Sequence, residues 1–463
     1  MKKRLSEKDI YNLYLQIEKE LDLFSKTIDG IFFWKLIRFK LYFKILSSFE
    51  LVKDRQNQRN SRKEQFFRTL NVVKNSLLYS VFKDKKQTDV LFFENPRKIR
   101  QNDGKYIDPF SYYYIKEYSK CKNDFEIIDL GHYGVHFDKA DKNRKFAESF
   151  YFDFIYKVKN KIFKQDFTQS ERNIINEVEK VIYEKFQIKV NIESLVKQKI
   201  LDFKYQDEKF DKLFKIKKPK EIYLVCSYGK EGIIHAAQSN DIKVVEFQHG
   251  VMGKYQLGYS FPYNIKIPYF PNKLLMFGEF WNDNTDLPKN QIEIEYIGFE
   301  YLTSKLDGYK DSKKEKQVLI ISQPGNVDDL IPTSIILAKN NPEYNFVYRL
   351  HPKEVKNWLN IYPKLVDAIE KLENFQVDTC KSDLYKQVSK SEFVVGINSA
   401  AIFESVVLGS KLILVNSPGI EYMDYFLKNG FCVNINPNIK INIKELKVDN
   451  FMNKEYIYKS NND

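Results

Sequence analysis

Cysteine is scarce in this 463-residue chain. Cys121, Cys226, Cys380 and Cys432 are scattered, with no C-x-x-C spacing, which argues against a zinc site and against a disulfide framework. Long apolar runs are missing as well. No window approaches eighteen uncharged apolar residues, so no membrane-spanning helix is expected. Behind the basic start Met1-Lys2-Lys3-Arg4 stands Leu5-Ser6-Glu7-Lys8-Asp9, where a signal peptide needs its apolar region. A reducing cytoplasm is the expected compartment. There is no short internal repeat, and the one low-complexity stretch is the polar end Ser460-Asn461-Asn462-Asp463.

What is present in excess is positive charge. The formal net charge is +13, and residues 1–86 hold twenty Lys/Arg against ten Asp/Glu, so most of the excess sits in the first fifth. Ile31-Phe32-Phe33-Trp34-Lys35-Leu36-Ile37-Arg38-Phe39-Lys40-Leu41-Tyr42-Phe43-Lys44 mixes aromatics and cations at a density that suits a membrane interface. Further on, Phe66, Leu70, Val73, Leu77 and Val81 recur at helical spacing, with Arg68 opposite. The competing reading is a pair of helices packed on the body with a solvated basic face. No nucleic-acid module accompanies the charge, and nucleic acid is not an expected partner.

Beyond Lys86 the pattern changes to short apolar runs ending in turn residues. Val90–Phe93, Phe125–Leu130, Ile222–Cys226, Val244–Phe247, Leu274–Phe277 and Ile294–Ile297 read as strands of one series. Val318–Ile321, Phe346–Tyr348, Phe375–Val377, Phe393–Val395 and Leu412–Val415 form a second. Strand alternating with helix predicts an α/β fold: two Rossmann-like doubly wound domains facing a cleft. The expected organisation is a basic aromatic helical segment over residues 1–86, then a first domain over 87–305 with a helical insertion at 139–215. A polar linker follows at 306–317, then a second domain over 318–440 and a tail over 441–463.

Chemistry concentrates where strands end. In the second domain, Ser322-Gln323-Pro324-Gly325-Asn326 leaves the first strand, and Gly325 permits close approach of backbone to a ligand. Arg349-Leu350-His351-Pro352 puts a fixed cation and an imidazole two apart at a strand exit, which suits a diphosphate or phosphoester leaving group. Asn398-Ser399-Ala400 falls where a strand turns into a helix whose free N–H groups can hold a phosphate. Glu404 is a carboxylate in an otherwise apolar helix, with ribose hydroxyls as one natural partner and a salt bridge as another. In the first domain, Glu246-Phe247-Gln248-His249-Gly250 offers His249 as a general base or as a structural loop histidine. Glu231, in Lys230-Glu231-Gly232, is a second candidate base. His132 and His136 stand four apart, but Gly134 between them favours a loop over a metal site. His235 reads as structural.

Phe247-Gln248-His249-Gly250, then Arg349-Leu350-His351-Pro352, then Asn398-Ser399 with Glu404 resemble the GT-B fold transferases of bacterial surface-polysaccharide synthesis. Within that group the chain is similar to capsule glycosyltransferases and to CDP-glycerol glycerophosphotransferases, which carry a His-Gly and an Arg-x-His motif. It is also similar to GT-B sialyltransferases with a His-Pro motif, although Lys230 and Ala400 depart from their acidic and Ser/Thr motifs. The resemblance covers roughly residues 220–435. It implies a nucleotide-activated sugar (CMP-, CDP- or UDP-linked) held by Arg349, His351, Asn398, Ser399 and Glu404, with Gln323, Gly325 and Ala400 completing the donor site. His249 would be the base or acceptor-positioning residue, with Gly250 and Lys254 on the side of a glycan or lipid-linked glycan acceptor. No cofactor and no metal are expected, since Asp328-Asp329 reads as a helix start. Residues 1–86 would dock on the inner face of the cytoplasmic membrane. A UDP-sugar 2-epimerase, a CDP-glycerol-type phosphotransferase and a non-catalytic scaffold of polysaccharide assembly are the other readings.

Overall fold

The computed structural model describes residues 5–51, 62–101, 103–122, 124–131, 134–162, 166–309, 312–448 and 450–460. In chain order the strands are β1 (Val90–Glu94), β2 (Ile99–Arg100), β3 (Tyr106–Ile107), β4 (Phe125–Asp129), β5 (Arg144–Phe146), β6 (Glu221–Val225), β7 (Lys243–Phe247), β8 (Lys273–Met276) and β9 (Glu293–Tyr296). The second series is β10 (Glu315–Ile321), β11 (Asn345–Arg349), β12 (Phe375–Asp378), β13 (Ser391–Gly396), β14 (Lys411–Val415) and β15 (Cys432–Ile435).

Two parallel sheets result. The first runs β5-β4-β1-β6-β7-β8-β9 and the second β12-β11-β10-β13-β14-β15, while β2 and β3 form a separate antiparallel hairpin. In each sheet the chain builds outward from a central strand to one edge and then crosses to the other side. The order therefore reverses between β1 and β6, and again between β10 and β13. Such reversals open a crevice beyond the carboxyl ends of the two strands, because the flanking connections diverge to opposite faces. These are two Rossmann-like domains, the expected fold class.

Each apolar run read from the sequence lies on a strand, and four strands lie outside that reading: the short hairpin β2–β3, β5 and β15. Arg144–Phe146 lies inside the stretch expected to be helical, and Cys432–Ile435 follows the last expected strand; both are sheet edges with polar, half-covered faces. The polar stretch before Val318 is shorter than a linker over 306–317, because β10 already begins at Glu315. Residues 441–460 do not behave as a tail. Ile443 is buried and its N–H donates to Asn341 Oδ1 at 2.7 Å; the chain then crosses back to the first domain. There Trp281 Nε1 donates to the Ile457 carbonyl (2.8 Å) and Lys459 N to the Phe277 carbonyl (2.7 Å), over Gly278, where no Cβ would fit.

Among the helices, α1 (Glu7–Glu20) and α2 (Phe33–Ser48) come first, followed by α3 (Arg62–Leu78), α4 (Tyr112–Cys121), α5 (Phe150–Ile162), α6 (Gln169–Phe186), α7 (Ile192–Lys217) and α8 (Glu231–Gln238). Of the two readings of residues 1–86, packing on the body holds for α1 and α2, and the segment does not act as one surface unit. Ile10, Tyr11, Tyr14 and Ile17 of α1 and Phe33, Trp34, Ile37, Leu41 and Ile45 of α2 belong to the largest core, shared with both sheets. Arg38 is buried against Glu18, with Nε to Oε1 at 2.5 Å and Nη2 to Oε2 at 3.0 Å, and its Nη1 donates to the carbonyls of Leu257 and Ser260. A buried pair so completely bonded tolerates its desolvation, whereas removing one partner costs about 3–5 kcal/mol. By contrast, Phe66, Leu70 and Leu77 of α3 are 62%, 47% and 58% exposed, while Val81, at the end of the same stripe, is fully buried.

Candidate functional site

The first switch point is flanked by the exits of β1 and β6, with His249 one strand further out, directly after β7. Its ring is enclosed. Nε2 lies 3.0 Å from the Tyr228 hydroxyl and Nδ1 3.2 Å from the Tyr259 hydroxyl, and the Tyr259 hydroxyl in turn donates to Glu246 Oε1. Phe110 meets the ring edge-on at 6.3 Å. Burial, with Lys230 and Arg97 as neighbouring cations, pulls the imidazole pKa down to about 3, so His249 is neutral at physiological pH.

The loop bearing His249 is held by the amino-terminal helices. Arg38 of α2 anchors the Leu257 and Ser260 carbonyls, Tyr11 of α1 bonds the Ser260 hydroxyl at 3.0 Å, and Tyr228 stacks on Phe39 at 4.7 Å. Gly258 is required beneath that ring, since a Cβ there would lie 2.8 Å from Tyr228 Cδ1. Gly250 has φ +155°, and its carbonyl accepts from Gln248 Nε2 at 2.8 Å, while Lys254 is exposed on the loop. Glu231 turns away toward α2: its Oε1 accepts from Gly229 N at 3.1 Å and lies 3.8 Å from the buried Lys35 Nζ.

At the second switch point the predicted residues meet across β10 and β13. Gln323 Nε2 donates to Asn398 Oδ1 at 2.6 Å, and Asn398 Nδ2 donates to the Gly419 carbonyl at 2.8 Å. Gly419 has φ +93°, and a side chain there would crowd Asn398 Nδ2 at 2.7 Å. Gly325 lies in the same loop as Gln323, with no atom within 4 Å of where a Cβ would be. Ser399 is the N-cap of the helix Ala400–Val407, yet its hydroxyl makes no capping bond and no other protein hydrogen bond among the described residues, although it is shielded from solvent. Of the N–H groups that follow, Ile402 N donates to the Ser399 carbonyl at 3.0 Å, while those of Ala400 and Ala401 precede the intrahelical ladder.

His351 lies one strand over, after β11. Its Nδ1 accepts from Lys353 N at 3.1 Å, so the neutral ring carries its proton on Nε2. Burial lowers its pKa, which keeps that form at neutral pH. Arg349 is engaged elsewhere: its Nη1 pairs with Asp378 Oδ2 (2.5 Å) on β12 and donates to the Ser382 carbonyl (3.0 Å). Glu404 faces an aromatic wall. It accepts from the Tyr385 hydroxyl at 3.1 Å, and burial pushes its pKa up to about 7.

Contacts between the loops bring the two switch points together. Tyr422, which follows Gly419, places its hydroxyl 3.3 Å from the Tyr255 carbonyl in the His249 loop and 3.0 Å from Glu7 Oε1. The rings of Tyr255 and Tyr422 are 5.7 Å apart. Tyr228, Tyr259 and Arg97 are not assigned a role from the sequence, because Tyr is abundant and nothing in local spacing ties these three to His249; Glu246 stands in the quoted motif but its link to the ring through Tyr259 does not show there.

The remaining histidines have other tasks. His136 is clamped between Asp129 Oδ1 (3.2 Å) and Glu148 Oε1 (2.8 Å); these bonds, outweighing burial, raise its pKa to about 9. His132 lies outside the described residues. His235 bonds Asp207 Oδ1 at 2.8 Å. Glu94, Asp129 and Asp138 bring carboxylate oxygens within 4.8 Å of one another, but Lys98 and Arg144 are paired among them, so this trio is a charge network.

No protein-family model matches the chain, and no curated protein matches it. Solved structures do. The UDP-GlcNAc 2-epimerase from Neisseria meningitidis bound to UDP-GlcNAc is 15% identical, over 74% of this chain and 86% of that one, with a TM-score of 0.44. The UDP-GlcNAc 2-epimerase from Methanocaldococcus jannaschii is 12% identical, over 81% and 97%, with a TM-score of 0.45. A glycosyltransferase from Rickettsia africae is 12% identical, over 76% and 85%, with a TM-score of 0.41. The fold class rests on the strand orders described above.

Proposed function

We propose that this chain is a metal-independent GT-B type glycosyltransferase that moves a sugar from a nucleotide donor to a glycan or lipid-linked glycan of the bacterial surface. The observation that supports it best is the second switch point, where Gln323 and Asn398 are joined and the Ser399 hydroxyl, followed by the Ala400 and Ala401 N–H groups at the helix start, stands unspent. A donor phosphate there would receive those hydrogens and the Nε2–H of His351. On the first domain, the acceptor hydroxyl would pass its proton to His249 as its oxygen bonds the anomeric carbon. The bond from that carbon to the phosphate oxygen breaks, and the leaving nucleotide takes the electron pair. Arg349 would act indirectly in this scheme, by fixing the β11–β12 exit beside His351.

A thermal-shift screen of CMP, CDP, UDP and GDP tests the donor site: a nucleotide at 100 times its Kd adds about 2.7 kcal/mol of stability. Stabilisation by none of them would defeat the reading. Turnover of a UDP-sugar without acceptor would favour an epimerase, and binding without turnover a scaffold.

Membrane docking, first read from residues 1–86, is here assigned to α3 and α5. Their exposed Phe66, Phe67, Leu70, Phe150, Tyr151 and Phe154 form an uncovered apolar surface, and residues 52–78 carry seven Lys/Arg against two Asp/Glu. Vesicles of phosphatidylcholine and phosphatidylglycerol should co-sediment with the full chain at low salt, and Phe66→Asp with Leu70→Asp should release it. Equal binding by that variant would rule α3 out.

A further inference from the structure

We infer that Glu246 and Tyr259 are positioning residues for His249, forming with it a carboxylate–tyrosine–imidazole relay that leaves the Nε2 lone pair as the base. The inference rests on the transferase reading for its purpose and on geometry for its content. A tyrosine hydroxyl has one hydrogen. In Tyr259 that hydrogen goes to Glu246 Oε1, so its oxygen has only lone pairs to offer His249 Nδ1. Nδ1 must then carry the ring proton, and Nε2 is bare. The Tyr228 hydroxyl, 3.0 Å from Nε2, is accordingly a donor to that lone pair, and an acceptor hydroxyl must displace it to reach the base.

The surroundings explain why such wiring is needed. The charged and titratable groups facing His249 are Lys230, Arg97, Tyr228 and Tyr259, with Cys226 and Glu246 behind the tyrosines. Both cations oppose an imidazolium, and burial opposes it further, so the ring rests neutral and its function depends on which nitrogen carries the proton. Glu246 is fully buried on β7 and also accepts from Ser227 N at 2.8 Å. Burial raises its pKa, against the bonds from Tyr259 and Ser227 and the nearby Lys230, and through Tyr259 it fixes the orientation and tautomer of the ring. During transfer the acceptor proton arrives at Nε2, Nδ1–H stays bonded to Tyr259, and no proton need leave the relay until the product departs.

The test is the ring-nitrogen NMR spectrum of the full chain labelled with 15N-histidine, with His249 assigned from its loss in His249→Asn. The wild type should show a protonated Nδ1 and an unprotonated Nε2 that persist from pH 8 to pH 5. Tyr259→Phe removes the only acceptor described for Nδ1–H and should move the proton to Nε2. Glu246→Gln keeps an oxygen for Tyr259, so it should retain the tautomer while lowering kcat by about tenfold or more, with the donor KM unchanged. A wild-type ring protonated on Nε2, or one titrating near pH 6.5, overturns the relay. So does an unaltered kcat in both variants when the tautomer is as described. Failure of every nucleotide to bind would instead sink the transferase reading and leave the tautomer result standing.

Discussion

His249 and His351 each lie just beyond a parallel strand one place from a switch point, on opposite sides of it in their two sheets, and they are set for opposite tasks. His351 receives a backbone N–H on Nδ1 and presents Nε2–H, a hydrogen-bond donor suited to a developing phosphate charge. His249 is wired to a buried carboxylate through Tyr259 and presents a lone pair. The difference teaches that an imidazole's role is set by what its other nitrogen touches: one side chain, held through Nδ1 by a donor or by an acceptor, becomes acid or base.

The largest effect should come from His249→Asn. Nucleotide binding should stay nearly unchanged while transfer to acceptor falls by about 10²–10⁴-fold, as for loss of a general base. Equal losses of nucleotide affinity and turnover would place His249 in the donor site, and unaltered transfer would leave Glu231, held by Gly229 and near Lys35, as the candidate. Next is His351→Ala, with turnover down about a hundredfold in a variant whose melting curve matches the wild type. Here nucleotide affinity should fall too, and this split between the two histidines is the sharpest form of the comparison. A folded His351→Ala enzyme with ordinary kcat would erase it.

A smaller effect is expected at Glu404, the carboxyl held by Tyr385 in the second domain. Its pKa of about 7 in the fold stands above the ordinary 4.5, so between those values the folded protein holds more protons than the unfolded one. Stability attributable to Glu404 therefore declines as pH rises through that window, and the deficit is complete above pH 7. Glu404→Gln should gain on the order of 2 kcal/mol over the wild type at pH 8 and almost nothing at pH 4. Urea unfolding at the two pH values measures it. A variant less stable at pH 8 would mean that the Tyr385 bond to a charged Glu404 outweighs its burial.

Much of the second switch point was legible because its residues are close in sequence to strand ends. Gln323, Asn398, Ser399 and His351 each follow an apolar run within three residues, and chain direction alone puts them at one edge of a sheet. Arg349 shared that position, but its pairing with Asp378 depends on which strand lies alongside, and sequence order does not tell that β12 is the neighbour. The His249 relay was illegible for a related reason: Glu246 stands in the same motif, but it reaches the ring only through Tyr259, ten residues beyond His249, while Tyr228 comes from the loop after β6.

The two basic aromatic segments mark the same division. The chain by itself determined that α2 and the α3 stripe would be helical and amphipathic in composition, because spacing and residue type act locally. Only the tertiary structure decided that α2 would be buried behind the His249 loop and α3 left exposed. Burying Arg38 is tolerable solely because Glu18 and the carbonyls of Leu257 and Ser260, some twenty and more than two hundred residues away, fold around its guanidinium and replace the water it gives up.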